Sequence, residues 1–225
     1  MRLDFVSAGA AQGLVAKVAA GSGVEVAGSF GAVGAMLEKF DSGEACDVVI
    51  LTRAQVAQLA SKGAVVESSV ADLGTAPTAI AVRAGEAPPK VSDGPSLRLA
   101  LLAADAIYFP DPAKATAGIH FAKVLDQLGL GVELAARIRT FPNGTTAMKA
   151  MGEASGHPIG CTQATEILAV PSVRLVAPLP KGFDLATVYT AAVNARASHR
   201  AQAEAFVKAL TGAESLAARR AAGFE

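Results

Sequence analysis

Neither sign of charge dominates this sequence. Lys plus Arg and Asp plus Glu each total 20, so there is no overall positive field to gather nucleic acid or anionic lipid. Any charge selectivity must be local. Long apolar runs are missing as well: stretches such as Val48-Val49-Ile50-Leu51 fall far short of the roughly 20 residues that span a bilayer, so no membrane insertion is expected. Residues 1–20 mix Arg2, Asp4 and Lys17 with Ala and Gly and lack the apolar core of a secretory signal. The chain is therefore read as periplasmic if a leader has been removed, and as cytoplasmic if Met1 is the native start. Cysteine is scarce. Cys46 and Cys161 each sit in an apolar, strand-like segment and read as two buried free thiols, which fit either compartment. The cysteines and the three histidines show no ligand spacing such as His-x-x-x-His or Cys-x-x-Cys, so no metal is expected. A phosphate loop, a Rossmann fingerprint and a nucleophile elbow are also absent, and no cofactor is expected.

What is present is the composition of a packed globular protein, with 52% hydrophobic and 18% charged residues. Strand-like and helix-like segments alternate. Leu3–Ser7 reads as a strand, Gly13–Ala20 as a helix, Val24–Phe30 as a strand, and Ala35–Phe40 as a helix whose Met36, Leu37 and Phe40 share a face. Asp47–Leu51 is apolar on both faces, as a central parallel strand should be, and the helix Ala54–Lys62 stops at Gly63. After the strand Thr78–Val82, residues 85–95 are rich in Gly and Pro and read as a surface loop. A second series then runs through strands at 106–109, 138–141, 158–161 and 174–177 and helices at 119–128 and 146–153. Thr187–Val193 reads as a strand returning to the first series, and 199–210 as a closing amphipathic helix. The expected fold is α/β: two Rossmann-like lobes with mixed, mainly parallel sheets joined by two crossover strands. Residues 1–78 plus 192–225 form the first lobe and 79–191 the second.

In open parallel sheets ligands bind beyond the carboxyl ends of the strands, where helix starts project backbone N–H groups. Small or polar residues recur at those junctions here: Ser7-Ala8-Gly9-Ala10-Ala11-Gln12, Ser29-Phe30-Gly31-Ala32-Val33-Gly34, Lys114-Ala115-Thr116-Ala117-Gly118, Asn143-Gly144-Thr145-Thr146 and Thr162-Gln163-Ala164-Thr165. Taken singly, each is explained by helix capping and tight turns. Taken together, two from one lobe and three from the other, they suit a cleft that surrounds an anion with amides and hydroxyls.

The order and spacing of these segments resemble the molybdate-binding proteins of ABC transporters, within the type II periplasmic solute-binding class. Ser29–Gly34 followed by Phe40-Asp41-Ser42-Gly43-Glu44-Ala45-Cys46-Asp47-Val48-Val49-Ile50 is similar to that family's strand, serine-rich turn, helix and next strand. Asp111-Pro112 with Thr116-Ala117-Gly118-Ile119 resembles its "DPxxxPAG" segment, Pro158–Glu166 its "PlGivYgSDA" strand and turn, and Ala222-Gly223-Phe224 its terminal "GF". The resemblance covers nearly the whole chain. It implies a small anionic ligand held between two lobes that close by a hinge near 76–84 and 188–195, an ABC permease as partner, and a monomer.

This chain departs from that pattern where hydroxyls are expected. Ala10 stands in the first turn, Ala32, Val33 and Gly34 in the second, and Gln163 replaces a tyrosine. Tetrahedral oxyanions need those donors, so an organic carboxylate is expected rather than molybdate. The expected ligand residues are Ser7, Gly9, Gln12, Ser29, Gly31, Lys114, Thr116, Asn143, Thr145 and Gln163. Arg53 is read equally as a carboxylate clamp and as a surface ion pair. Relatives of the resembled family include aconitate isomerases, which makes a tricarboxylate isomerase the second reading. Such chemistry needs a cleft acid or base, and Lys114, His120 and Glu166 are the candidates.

Overall fold

The computed structural model describes all 225 residues, Met1–Glu225. The chain opens with β1 (Arg2–Ala8), a 3-10 turn at Gly9–Ala11, α1 (Gln12–Ser22), β2 (Glu25–Gly31), α2 (Val33–Asp41), β3 (Val48–Thr52) and α3 (Arg53–Ser61). It continues through β4 (Ala71–Arg83), α4 (Gly94–Ala103), β5 (Ile107–Pro110), α5 (Thr116–Gln127), β6 (Ile138–Phe141), α6 (Gly144–Glu153) and β7 (Ile159–Gln163). The last elements are α7 (Ala164–Leu168), β8 (Val173–Pro178), β9 (Ala186–Val193), α8 (Arg200–Thr211) and α9 (Leu216–Ala221).

The fold is α/β, and the contacts divide it into two compact units, Met1–Ala76 with Thr187–Glu225, and Pro77–Ala186. The chain passes between them twice, within β4 and at the start of β9. These crossings fall a few residues before 78 and 191. The second lies earlier because β9 pairs antiparallel with β3 over Tyr189–Val193 and so belongs almost wholly to the first unit.

In the first unit the sheet order is β2-β1-β3-β9. β1 is central, with parallel partners on both sides: Phe5 lies opposite Gly28 on β2 and Val48 on β3. A strand covered on both faces must be apolar on both, and Leu3, Phe5, Val6, Val48, Val49, Ile50 and Leu51 are all fully buried. Leu14 and Val15 of α1, Met36 and Phe40 of α2, and Phe206 and Leu210 of α8 complete that core.

In the second unit the order is β4-β7-β5-β6, with β8 also on β4. β5 runs parallel to β6 and β7, while β4 is antiparallel to β7 and β8. The alternation along β4 divides the core into two layers. Ile80 and Val82 join Leu97 and Leu101 of α4 and Phe121, Val124 and Leu125 of α5. Ala79 and Ala81 pack instead with Met148 and Met151 of α6 and Ile167 of α7. Each large side chain so buried contributes roughly 1.5–3 kcal/mol relative to exposure.

Two stretches differ from the sequence reading. β4 begins at Ala71, not at residue 78. Helix α4, which the sequence reading did not assign, starts inside the Gly/Pro-rich segment. Asp93 caps it by accepting from the Ser96 amide at 2.8 Å, the Asp93 amide donates in turn to the Ser96 hydroxyl, and Pro95 sits in the first turn, where its missing N–H costs nothing. The helix buries only Leu97 and Leu101, a stripe too thin for periodicity to reveal.

The start of α5 is pressed onto the end of β5 at Gly118, where an added Cβ would collide with the carbonyl oxygens of Pro110 and Asp111. Gly118→Ala is therefore expected to lower unfolding stability by about 1–3 kcal/mol, the usual cost of overpacking. Urea denaturation with an unchanged m-value would measure it.

Candidate functional site

The carboxyl ends of adjacent parallel strands bring the sequence-predicted turns together within each unit. In the first unit Ala8 lies opposite Gly31, so the turn into α1 and the turn into α2 are neighbours. Ala8, Gly9, Ala10, Ala11, Gly31, Ala32 and Val33 are all buried. Neither helix start has a side-chain cap, because the cap positions are Ala11 and Ala32. Alanine is among the poorest N-cap residues, costing about 1 kcal/mol against Ser, Thr, Asp or Asn. No side chain closes either start, although α1 is led in by the 3-10 turn, whose Gly9 carbonyl accepts from the Gln12 amide.

The hydroxyls expected to face a ligand there are engaged elsewhere. Ser7 is fully buried and donates to the Ala8 carbonyl at 3.0 Å. Ser29 donates to Glu44 at 2.6 Å and accepts from Lys39 at 2.7 Å, and Lys39 and Glu44 also pair at 2.9 Å. Gln12 is exposed at the first position of α1. Arg53 takes the surface option of its two readings. Its guanidinium forms an ion pair with Asp72, which also accepts from Thr190 at 2.6 Å.

In the second unit β5 lies between β7 and β6, so three strand ends are side by side. Beyond β5, Asp111 shapes the approach to α5. Its carboxylate accepts from the amides of Ala113 at 2.7 Å and Lys114 at 3.2 Å, a local turn that Asp forms readily. Lys114 is exposed, and Thr116 is half-buried at the first position of α5. The cap position is Ala115, again with no side-chain cap.

The start of α6 is arranged in the opposite way. Asn143 caps it through the Thr146 amide at 2.8 Å and also accepts from the Thr146 hydroxyl at 2.9 Å. Glu166, on α7, is only 6% exposed and accepts from the Gly144 amide at 3.2 Å and the Thr162 hydroxyl at 2.5 Å. The Thr145 and Gln163 amides also act on its carboxylate. The first three amides of α6 are thus satisfied by the chain itself. This corrects the expectation that the Asn143–Thr146 turn stands open for a ligand. Gln163 is buried at the cap position of α7. Around it lie two hydroxyls missed from sequence as site residues. Thr78, opposite Gln163 on β4, and Thr165 are 1% and 5% exposed, and neither Oγ1 has a hydrogen-bond partner. A polar residue opening the otherwise apolar run Thr78–Val82 is the one signal that pointed to Thr78.

The histidines are all engaged. His120 Nε2 is 2.7 Å from the Phe183 carbonyl, His157 Nδ1 3.8 Å from Glu86 and His199 Nδ1 3.3 Å from Asp47. No group of three or more His, Cys, Asp or Glu side chains is placed to hold a metal ion. Cys46 and Cys161 are free and buried, and burial pushes the Cys161 thiol well above its usual range. No helix is long and apolar enough to cross a membrane.

Burial also pushes the Glu166 carboxyl above its usual range, against the opposing pull of the Thr162 hydroxyl and the three amides. A carboxyl raised on folding holds its proton to higher pH in the native state than in the unfolded chain. Stability from this group is therefore greatest at low pH and is lost as pH rises from the ordinary carboxylate range through the native value. Urea midpoints of the wild type and Glu166→Gln across that window should show the wild type losing ground to the variant as pH rises.

Comparison with known proteins agrees with the α/β fold. The model of the bacterial extracellular solute-binding proteins matches residues 6–225. An aconitate isomerase from a Pseudomonas species is 27% identical over 184 residues, covering 81% of this chain and 68% of that protein. The periplasmic molybdate-binding protein of Azotobacter vinelandii shares the fold with a TM-score of 0.76 at 22% identity, over 99% of this chain and 98% of that one. The sulfate-binding protein of Mycobacterium tuberculosis does so at 0.69 and 18%, over 100% and 86%. Since the family match runs through both units, this chain belongs to the bacterial extracellular solute-binding proteins.

Proposed function

We propose that this protein binds a small organic carboxylate at the helix starts of its two units and delivers it, from the periplasmic side, to an ABC permease. The observation that carries the reading is the contrast among helix starts. α4 and α6 are capped by Asp93 and Asn143 and α3 opens with a Thr52–Gln55 box, whereas α1, α2 and α5 begin behind the buried alanines Ala11, Ala32 and Ala115; α7 and α8 also lack a side-chain cap but begin behind the polar Gln163 and His199. Amides left without a local cap, together with the partial positive charge of a helix start, favour an anion. Gly9 and Gly31 allow close approach to the backbone, and Gln12, Lys114, Thr116 and Gln163 are the side chains proposed to meet the ligand. Ser7, Ser29, Asn143 and Thr145 contribute to the fold of those turns.

The carboxylate is preferred to molybdate because the turns into α1 and α2 carry Ala10, Ala32, Val33 and Gly34 and no unengaged hydroxyl. A tetrahedral oxyanion would be left short of donors there, and each missing partner of a buried charge is costly. Titration calorimetry with molybdate, sulfate and a series of small organic carboxylates should give heats with the carboxylates only. Small-angle scattering should show compaction on binding, as hinge closure requires. Tight binding of molybdate would overturn the choice of ligand.

A tricarboxylate isomerase is the second reading, favoured by the 27% identity to an aconitate isomerase. It needs a group free to move a proton. Glu166 is enclosed by its donors and His120 is held at the Phe183 carbonyl, which disfavours both in that role. Incubation with cis- or trans-aconitate is expected to give no interconversion.

A cap supplied in place of the ligand tests the same idea from the other side. The extended backbone at Ala115, with φ −96° and ψ 129°, suits a capping serine. Ala115→Ser should raise the stability of the unliganded protein by up to about 1 kcal/mol. It should also weaken carboxylate binding, because the new hydroxyl competes for the same amides. Thermal melts with and without ligand would read both effects.

A further inference from the structure

The chain leaves the first unit after Ala76 and re-enters it at Thr187, and residues 223–225 are packed against both places. Thr75 and Glu225 exchange a pair of backbone hydrogen bonds, each amide donating to the other's carbonyl at 2.9 Å. Such a reciprocal pair is one rung of an antiparallel ladder, so Glu225 is joined to β4 one residue before Ala76. Gly74 makes room for it. Its φ of +139° is a conformation that side chains disfavour, and an added Cβ would lie 2.9 Å from the Glu225 carbonyl oxygen and 3.1 Å from the Phe224 Cβ. Phe224 itself is 2% exposed and meets Tyr189 of β9 edge to face, with ring centroids 6.3 Å apart, two residues after Thr187. A polar contact ties the same two strands again: Thr190 donates to Asp72 at 2.6 Å, and Arg53 holds Asp72 in turn. Next along β4 comes Pro77, which has no N–H to give the sheet. The amide of Thr78 then donates to the Leu185 carbonyl at 2.8 Å.

We propose that Phe224 is a positioning residue for solute capture: with Glu225 it clips both crossing strands to the first unit, so that the bending of hinge closure is confined to residues just beyond, around Pro77 in β4 and Ala186 in β9. The inference rests on the solute-binding reading above, but not on which solute is bound. A hinge works when a few residues absorb the change in φ and ψ while the segments beside them stay rigid. The clip supplies that rigidity on one side. Backbone bonds hold residue 225 to β4, and the neighbouring ring is wedged against β9, so the two strands are held as one piece. Tyr189 and Thr190 are consecutive and point to opposite faces of β9, so the aromatic contact and the Asp72 contact brace the pair from both sides. Where the clip ends, Pro77 leaves the ladder one donor short, and bending there breaks no bond from that residue's nitrogen. A residue that only filled the core would need burial alone. The strand-like pairing at Glu225 and the glycine conformation at residue 74 are instead features of the crossing itself.

Hydrogen exchange and spin-label distances test this without any solute. In the wild type the Thr75 amide is expected to exchange about as slowly as that of Ile50, in β3, which is paired on both sides. Phe224→Ala removes the ring and Gly74→Ala dislodges residues 224–225, and each is first checked for a cooperative thermal melt. Both should speed exchange at Thr75 relative to Ile50 by roughly tenfold or more, the mark of local rather than global opening. Leu14→Ala, a deletion elsewhere in the same core, should speed both amides together and leave their ratio at the wild-type value. Spin labels are carried by Lys62→Cys in the first unit and Lys123→Cys in the second, both exposed positions, with the buried Cys46 and Cys161 replaced by alanine. The distance distribution should broaden in the two clip variants and keep its wild-type width in Leu14→Ala, a contrast that a merely structural role would not produce. The proposal requires both readouts. A folded clip variant that keeps either one at its wild-type value overturns it, as does a Leu14→Ala control that shifts them equally. If neither clip variant folds, the wild type decides: a Thr75 amide exchanging far faster than Ile50 means that the clip frays, and the proposal falls. None of these results depends on the solute, so failure here leaves the carboxylate reading standing.

Discussion

A buried N–H in the first turn of a helix has to find an acceptor, and the several solutions to that requirement organise this protein. Where the acceptor is local, the helix is scaffold. Thr52 with Gln55 closes the start of α3, and Asp93 with Ser96 closes α4. Where the acceptor comes from a distant segment, as Glu166 reaches α6 from α7, the same bond also joins two elements of one core layer. Where no side chain is supplied, as behind Ala11, Ala32 and Ala115, the helix start is left without a side-chain acceptor of its own.

The sheets make that distribution possible. Parallel pairing of β1 with β2 and β3, and of β5 with β6 and β7, aligns the carboxyl ends of neighbouring strands, so turns far apart in sequence become adjacent. The antiparallel pairings of β9 with β3 and of β4 with β7 and β8 bring the crossing segments into each unit without another helix. Glycine enters where backbone meets backbone or a buried side chain, at Gly118 and Gly144. Each position trades side-chain bulk for the closeness that a helix start needs.

Much of the fold was legible because its signals are periodic. Runs such as Val48–Leu51, buried on both faces, and the stripe Ala203, Phe206, Val207 and Leu210 on α8 report their surroundings directly. Helix α4 was not legible, since its two buried leucines make too weak a stripe and its turn residues read as loop. The candidate site was legible as a set of turns but not as a set of contacts. Ser29 looks like a donor in a serine-bearing turn, yet an ion pair 10 to 15 residues further along the chain claims its hydroxyl. Arg53 is bound by Asp72 for the same kind of reason.

The sequence by itself determined the α/β alternation, the division into two series, the shortage of hydroxyls in the first two turns and the family resemblance. All of these are carried by residues close together in the chain or by their order along it. Tertiary structure alone decided which polar groups are already paired. Glu166 meets Gly144 from 22 residues away, and Thr78 lies opposite Gln163 across a strand pair of long separation. Whether a carboxylate becomes catalyst, ligand competitor or cap depends on distances of about 3 Å, which only the packing of whole elements sets.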